Sequence, residues 1–171
     1  TEYHDYAQKL VASEPANEDW QAELDYAYSN LGTLAMDEGE AAEAEGYFRK
    51  SLAIALARLG KAPEDVERVW AAGQAYAWLA DALHRQVKLE EAKRMRETEL
   101  TYYQPFLQKS TTHASIAQAI TAAEYTVAYL DIARGDLDAA KIRGESAVAK
   151  IDRALSIDPN RTVFLERAAL T

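Results

Sequence analysis

A spacing of 48 residues recurs through this chain and limits what it can fold into more than any other feature. Pro15, Pro63 and Pro159 share one register, with Thr111 in the remaining slot. The same shift carries Ala27 to Ala75 and Ala123, Ala44 to Ala92 and Ala140, and Leu59 to Leu107 and Leu155. Leu31 coincides with Leu79 and Val127, Gly32 with Ala80 and Ala128, and Leu52 with Leu100 and Val148. Small residues fall on small ones, and branched apolar residues on branched apolar ones. Such a period describes stacked copies of one supersecondary unit, each burying its apolar face against its neighbours. Arrays of this kind present extended surfaces to partners more readily than they enclose catalytic clefts.

Within each unit the pattern reads as two antiparallel helices. Asn17 or Glu18 starts the first, which carries Trp20, Leu24, Ala27, Leu31 and Leu34 at three- and four-residue steps. Asp37-Glu38-Gly39-Glu40 interrupts it, and Gly39 supplies the left-handed conformation that ends a helix. A second helix runs from Ala41 to Leu59 and stops at Gly60, and Pro63 suits a first helical turn of the next unit. The same scheme predicts helices near 64–86, 89–108, 113–134 and 137–155. Val87 stands where the other turns have Gly39 and Gly135, so this turn is expected to be built differently. Pro105 is expected to kink its helix or end it early. Residues 2–12 match the end of a second helix, and Arg161–Ala169 the start of a further first helix. The expectation is one array over 1–171, with units 15–62, 63–110 and 111–158 and partial units at both ends.

Composition agrees with an all-α chain: 49% of residues are hydrophobic, led by Ala and Leu, with 7 Gly and 4 Pro. Without cysteine there is no disulfide framework, thiolate zinc site or cysteine nucleophile, which fits the cytoplasm and leaves a bacterial periplasm open. No apolar run approaches the roughly 20 residues needed to span a bilayer. The net charge is −9, of which residues 1–60 carry −8. A chain so acidic, with no basic cluster, is a poor candidate for nucleic acid or anionic membrane. A protein partner with basic patches suits the N-terminal end, the alternative being a solvated acidic surface.

The spacing inside each unit resembles the tetratricopeptide repeat (TPR). Tyr28, Leu31, Gly32, Gly39, Ala44, Phe48 and Ser51 follow that family's series in the first unit. Tyr76, Leu79, Ala80 and Ala92 follow it in the second, where Val87 and Arg96 depart. Val127, Ala128, Gly135, Ala140 and Ala147 follow it in the third, where Glu124 and Gly144 depart. The period is longer than the usual one of roughly 34 residues. The 14 further residues per unit lengthen each helix by about two turns. The resemblance implies a right-handed α-solenoid, of a long-repeat kind common in bacterial regulatory proteins. Gly32, Ala80 and Ala128 then let the first helix approach Ala44, Ala92 and Ala140, with Leu52, Leu59, Leu100 and Leu107 in the seam between units.

In that family the first helices line the inner wall. The resemblance therefore places Tyr26, Ser29, Thr33 and Met36 there, then Gln74, Ala77, Asp81 and His84, then Tyr125, Tyr129 and Ile132. Trp78 sits beside them, although Trp20, Trp70 and Trp78 also read as packing residues. Tyr125 and Tyr129, four apart, share one helical face and offer rigid contact area with polar tips. Asn30 is present, but the lysines that clamp a peptide carboxylate in some relatives are not at matching positions. No His-Glu-x-x-His pair, phosphate-binding glycine loop or Gly-x-Ser-x-Gly elbow occurs, and His4, His84 and His113 lie far apart. Asp81 and His84 are too few to assert a metal, and the run Glu38, Glu40, Glu43 and Glu45 reads as a helix-capping cluster. The expectation is a non-enzymatic scaffold without cofactor that binds a peptide or helix in a concave groove. A module assembling through its ends and a ligand sensor are the rivals.

Overall fold

The computed structural model describes residues 2–109 and 114–157. Among them are seven helices and no strand: α1 (Glu2–Ser13), α2 (Glu18–Asp37), α3 (Ala41–Lys61), α4 (Val66–Arg85), α5 (Leu89–Lys109), α6 (Ala114–Ala133) and α7 (Leu137–Ile157). The protein is all-α. Its sequence period is also a backbone period, because α2, α4 and α6 all have 20 residues and start 48 apart. Likewise α3, α5 and α7 all have 21 residues and start 48 apart. Each of these six helices is about 30 Å long. The expectations for His113, Thr111, Pro159 and Arg161–Ala169 lie outside the described residues.

Caps and turns repeat in the same register. The Asn17 side chain accepts from the amides of Asp19 and Trp20, and the Asp65 side chain from those of Glu67 and Arg68. Each satisfies donors that a helix start leaves without intrahelical partners. Pro15 and Pro63 lie in the turns before these caps, not in a first helical turn. After α2, α4 and α6 the chain closes in one way three times. The amides of Gly39, Val87 and Gly135 reach the carbonyls of Met36, His84 and Ile132, and those of Glu40, Lys88 and Asp136 reach Ala35, Leu83 and Asp131. This is the Schellman closure, with one residue in the left-handed region. Gly39 has φ 85° and Gly135 φ 81°, and Val87 takes φ 61°. The expectation of a different turn at Val87 is thus corrected: the hydrogen bonds are the same, and a β-branched residue is forced into glycine's conformation. Of the acidic run, Glu40 stands at the α3 N-cap without a side-chain capping bond and Glu43 lies in the first turn, where negative charge suits the helix start.

The chain divides into two compact units, residues 1–103 and 104–171. In the first, α1 packs on α2, α2 on α3 and α3 on α4. Ala44, Phe48, Ala55, Leu59, Val69, Leu79 and Leu83 fill its interior, while Leu52 is only half-buried. Gly32 and Gly73 are close-approach positions. A methyl group on Gly32 would overlap the Phe48 ring, and one on Gly73 would overlap the Tyr103 hydroxyl. Trp78 stacks on Phe48 at 6.0 Å and Trp70 lies 6.0 Å from Tyr103, so both are packing residues. In the second unit α6 packs on α7, with Ile116, Ile120, Ala123, Val127, Leu130 and Ala140 buried and Ala128 half-buried. Pro105 does not end its helix: α5 continues to Lys109, and the division between the units falls two residues before the proline. Among the described residues no helix is long and apolar enough to cross a membrane.

Candidate functional site

Helix α6 carries only two charged residues, Glu124 and Asp131, and both point inward, 6% and 0% exposed. Asp131 lies 3.3 Å from Arg134 and 3.4 Å from Arg143 of α7, which balance its charge away from water. The outward face is apolar: Tyr125 is 52% exposed, Tyr129 48% and Ile132 56%, with Ala122 exposed one turn earlier. Soluble helices ordinarily place apolar residues inside and charges outside. Here the charges lie inside and apolar side chains lie on both faces, the outer ones forming a stripe about 10 Å long. A contiguous apolar patch of this kind marks an interaction surface more often than a lone exposed side chain does.

The first unit treats its expected wall residues differently. Tyr26 is exposed and meets Tyr3 edge to face at 6.2 Å. Thr33 is exposed and donates to the Ser29 carbonyl, and Met36 is half-buried. Ser29 is corrected: it is buried, not on an open wall. Its hydroxyl bonds the Asp25 carbonyl at 3.0 Å and lies 3.1 Å from the Ser51 hydroxyl, which itself donates to the Asp25 carboxylate at 2.6 Å. Burial pushes the Asp25 carboxyl above its ordinary range, against the Ser51 bond. Gln74 is half-buried beside the Tyr103 hydroxyl, and Ala77 is buried. Trp78 is half-buried against Phe48, so its ring is not a free anchor.

Asp81 and His84 are both half-buried, but Asp81 is engaged by Arg96 of α5 at 2.7 Å. Arg96 also bonds Glu99 at 2.9 Å, and Arg96 and Glu99 are both buried. Burial pushes the Glu99 carboxyl up to about 7 even with the Arg96 guanidinium beside it. This cluster has one trace in the sequence, the arginine in place of the expected aromatic. Among the described residues no group of three or more His, Asp or Glu side chains is placed to hold a metal ion.

A cleft of about 310 Å³ opens between α1 and α2, lined by Glu2, Tyr3, Tyr6, Ala7, Leu10, Trp20 and Glu23. The Tyr3 hydroxyl donates to the Glu23 carboxylate. That bond, with burial adding to it, pushes the phenol up to about 12. Periodicity marked only Trp20 among these residues, as a packing position; the seven come from two units of the register and have no common spacing.

No protein-family model matches the chain, and no curated protein matches it. Solved structures do match. BtubC (BKLC) from P. vanneervenii has a TM-score of 0.60 and 17% identity, over 89% of this chain and 54% of that one. The chain therefore spans about half the length of that structure. At this identity the likeness is one of fold.

Proposed function

We propose that the chain is an interaction scaffold, a TPR-like right-handed solenoid of helix pairs whose first helices hold a peptide or helix of a partner protein. The observation that carries this reading is the apolar stripe Tyr125, Tyr129 and Ile132 on a helix whose charges are buried. Covering it gains about 25 cal/mol per Å² of apolar surface removed from water, and the tyrosine hydroxyls supply polar contacts at the rim. Asp81 is held by Arg96, so selection of basic partners falls to the acidic N-terminal third rather than to that carboxylate. No catalytic role is assigned to any residue.

The double variant Tyr125→Ala/Tyr129→Ala tests the reading in a cross-linked capture from the source cell. The captured protein is then purified and titrated against both forms. A partner bound by the wild type and at least about tenfold more weakly by the folded variant supports the stripe as the working surface. Equal affinity for both refutes it. A second reading, assembly through α7, rests on Leu137, Ile142 and Val148, all exposed on that helix. Val148 stands one period after Leu100, which is buried. A mass that rises with concentration, and stays monomeric in Ile142→Glu, would favour it.

A further inference from the structure

We propose that the cleft between α1 and α2 is a binding site for an alkylammonium group, such as the lysine side chain of a basic peptide. The inference is independent of the α6 stripe. Three aromatic rings, Tyr3, Tyr6 and Trp20, line the cleft, with Ala7 and Leu10 completing it and the glutamates Glu2 and Glu23 among its lining. None of these seven residues is basic, so the lining supplies no cation of its own. Its volume sits at the lower end of small-ligand sites, roughly 300–1,000 Å³. Aromatic faces attract an ammonium through the ring quadrupole, the more so as the group leaves water, and lysine, methylated and quaternary ammonium groups are all held in this way. A carboxylate within reach adds charge complementarity without closing the site.

The molecule already holds one ammonium in this way. Lys50 places its Nζ 5.2 Å from the centre of the Tyr28 ring and 5.6 Å from that of Tyr47. Those two rings stack 6.4 Å apart, and the Tyr47 hydroxyl is tied to Glu43 at 2.9 Å. The cleft repeats the ingredients: Tyr3 is tied to Glu23, and Tyr6 and Trp20 stand with it. It differs in the cation. One period before Lys50 stands Glu2, an acid where α3 has the base. The cleft has rings and carboxylates of the same kinds as the Lys50 arrangement, and none of its lining residues supplies an ammonium. Residues 1–60 carry −8 of the total charge, which favours approach of a cationic segment to this end.

The test titrates the whole chain with choline and with its neutral isostere 3,3-dimethylbutan-1-ol, following tryptophan fluorescence and ligand NMR line width. Choline is expected to saturate in the millimolar range and to bind at least about fivefold more tightly than the isostere. Tyr6→Ala is expected to weaken choline by about tenfold or more. Tyr6 is 68% exposed, so this change leaves the fold intact, as circular dichroism would check. Glu23→Gln is expected to weaken choline while leaving the isostere unchanged, and Lys50→Ala to alter neither. Equal binding of choline and isostere would reduce the cleft to an apolar slot and overturn the proposal. So would undiminished choline binding in folded Tyr6→Ala, or no saturation by the wild type.

Discussion

Val87 has a side chain 75% exposed to water and a backbone φ of 61°, so it gains little from packing while holding a conformation that disfavours a β-branched residue. The left-handed region costs a non-glycine residue about 1–2 kcal/mol, and glycine gives back part of that through its greater freedom when unfolded. Val87→Gly is therefore expected to stabilise the chain by about 1 kcal/mol, a rise of a few degrees in Tm by calorimetry. An unchanged or lower Tm would mean that the valine is not strained there. Glu99 acts through pH. Burial raises its folded pKa to about 7 from an ordinary 4.5, so the folded state binds the proton more tightly than the unfolded chain. Its contribution is fully present below about 4.5 and lost as pH rises through about 7, with a magnitude of order 3 kcal/mol. Glu45 has the opposite sign. Burial works against its charge, but Lys88, Gln86 and Arg49 hold its carboxyl at about 2, so its support is present above about 4.5 and lost as pH falls toward 2. The two windows are separate, and Glu99→Gln is expected to flatten the decline of Tm between pH 5 and 8 while leaving the acid limb unchanged. A decline as steep as in the wild type would exclude Glu99 as its source.

Helix boundaries were legible because the signals that set them are local and recur three times: apolar steps of three and four, Asn17 as a cap, and glycines at two of the turns. Asp65 gives the same capping chemistry one period after Asn17. What each helix turns toward its neighbour was less legible. Ser29 lies on the face expected to be open, yet Ser51 of α3 draws it inward together with Asp25. That pairing spans more than 20 residues and leaves no periodic mark. The same holds for α6, where burial of Asp131 depends on Arg143, a residue of the following helix. The two faces of α6 should therefore respond in opposite ways to substitution. Removing the ring contacts in Tyr125→Ala/Tyr129→Ala is expected to shift stability by less than about 1 kcal/mol, because both rings are half-exposed. Asp131→Ala leaves two arginines without their buried carboxylate and is expected to cost about 3–5 kcal/mol. Denaturant midpoints of the two variants would check this, and a larger loss in the tyrosine variant would place those rings in the core instead.

Across the molecule the backbone keeps one period while the side chains that fill it change by compensating pairs. Position 32 is glycine where position 48 is phenylalanine. One period on, Ala80 accompanies Arg96, and one further, Ala128 accompanies Gly144. A second pair behaves alike: Asp25 goes with Ala55 in one copy, and Gly73 with Tyr103 in the next. In both, the large ring occurs only with the glycine, which leaves the ring room against the helix backbone. At positions 32 and 48 the summed volume stays similar from the first copy to the second although neither residue is kept, whereas Ala128 with Gly144 fills much less; volume-conserving exchange is what a packed core tolerates best. This explains how α2–α3 and α4–α5 share helix boundaries and small core residues, Ala27 with Ala75 and Ala44 with Ala92, while their large core rings differ. It also makes a coupling measurable. Gly32→Ala alone is expected to cost about 1–3 kcal/mol, since the new methyl group meets the Phe48 ring. In a Phe48→Leu background the same methyl meets a smaller, flexible side chain, and its cost should fall by at least about 1 kcal/mol. A double-mutant cycle isolates that difference. Equal costs in the two backgrounds would show that Gly32 is not set by the ring it faces, and the pairwise account of the repeat would fail with it.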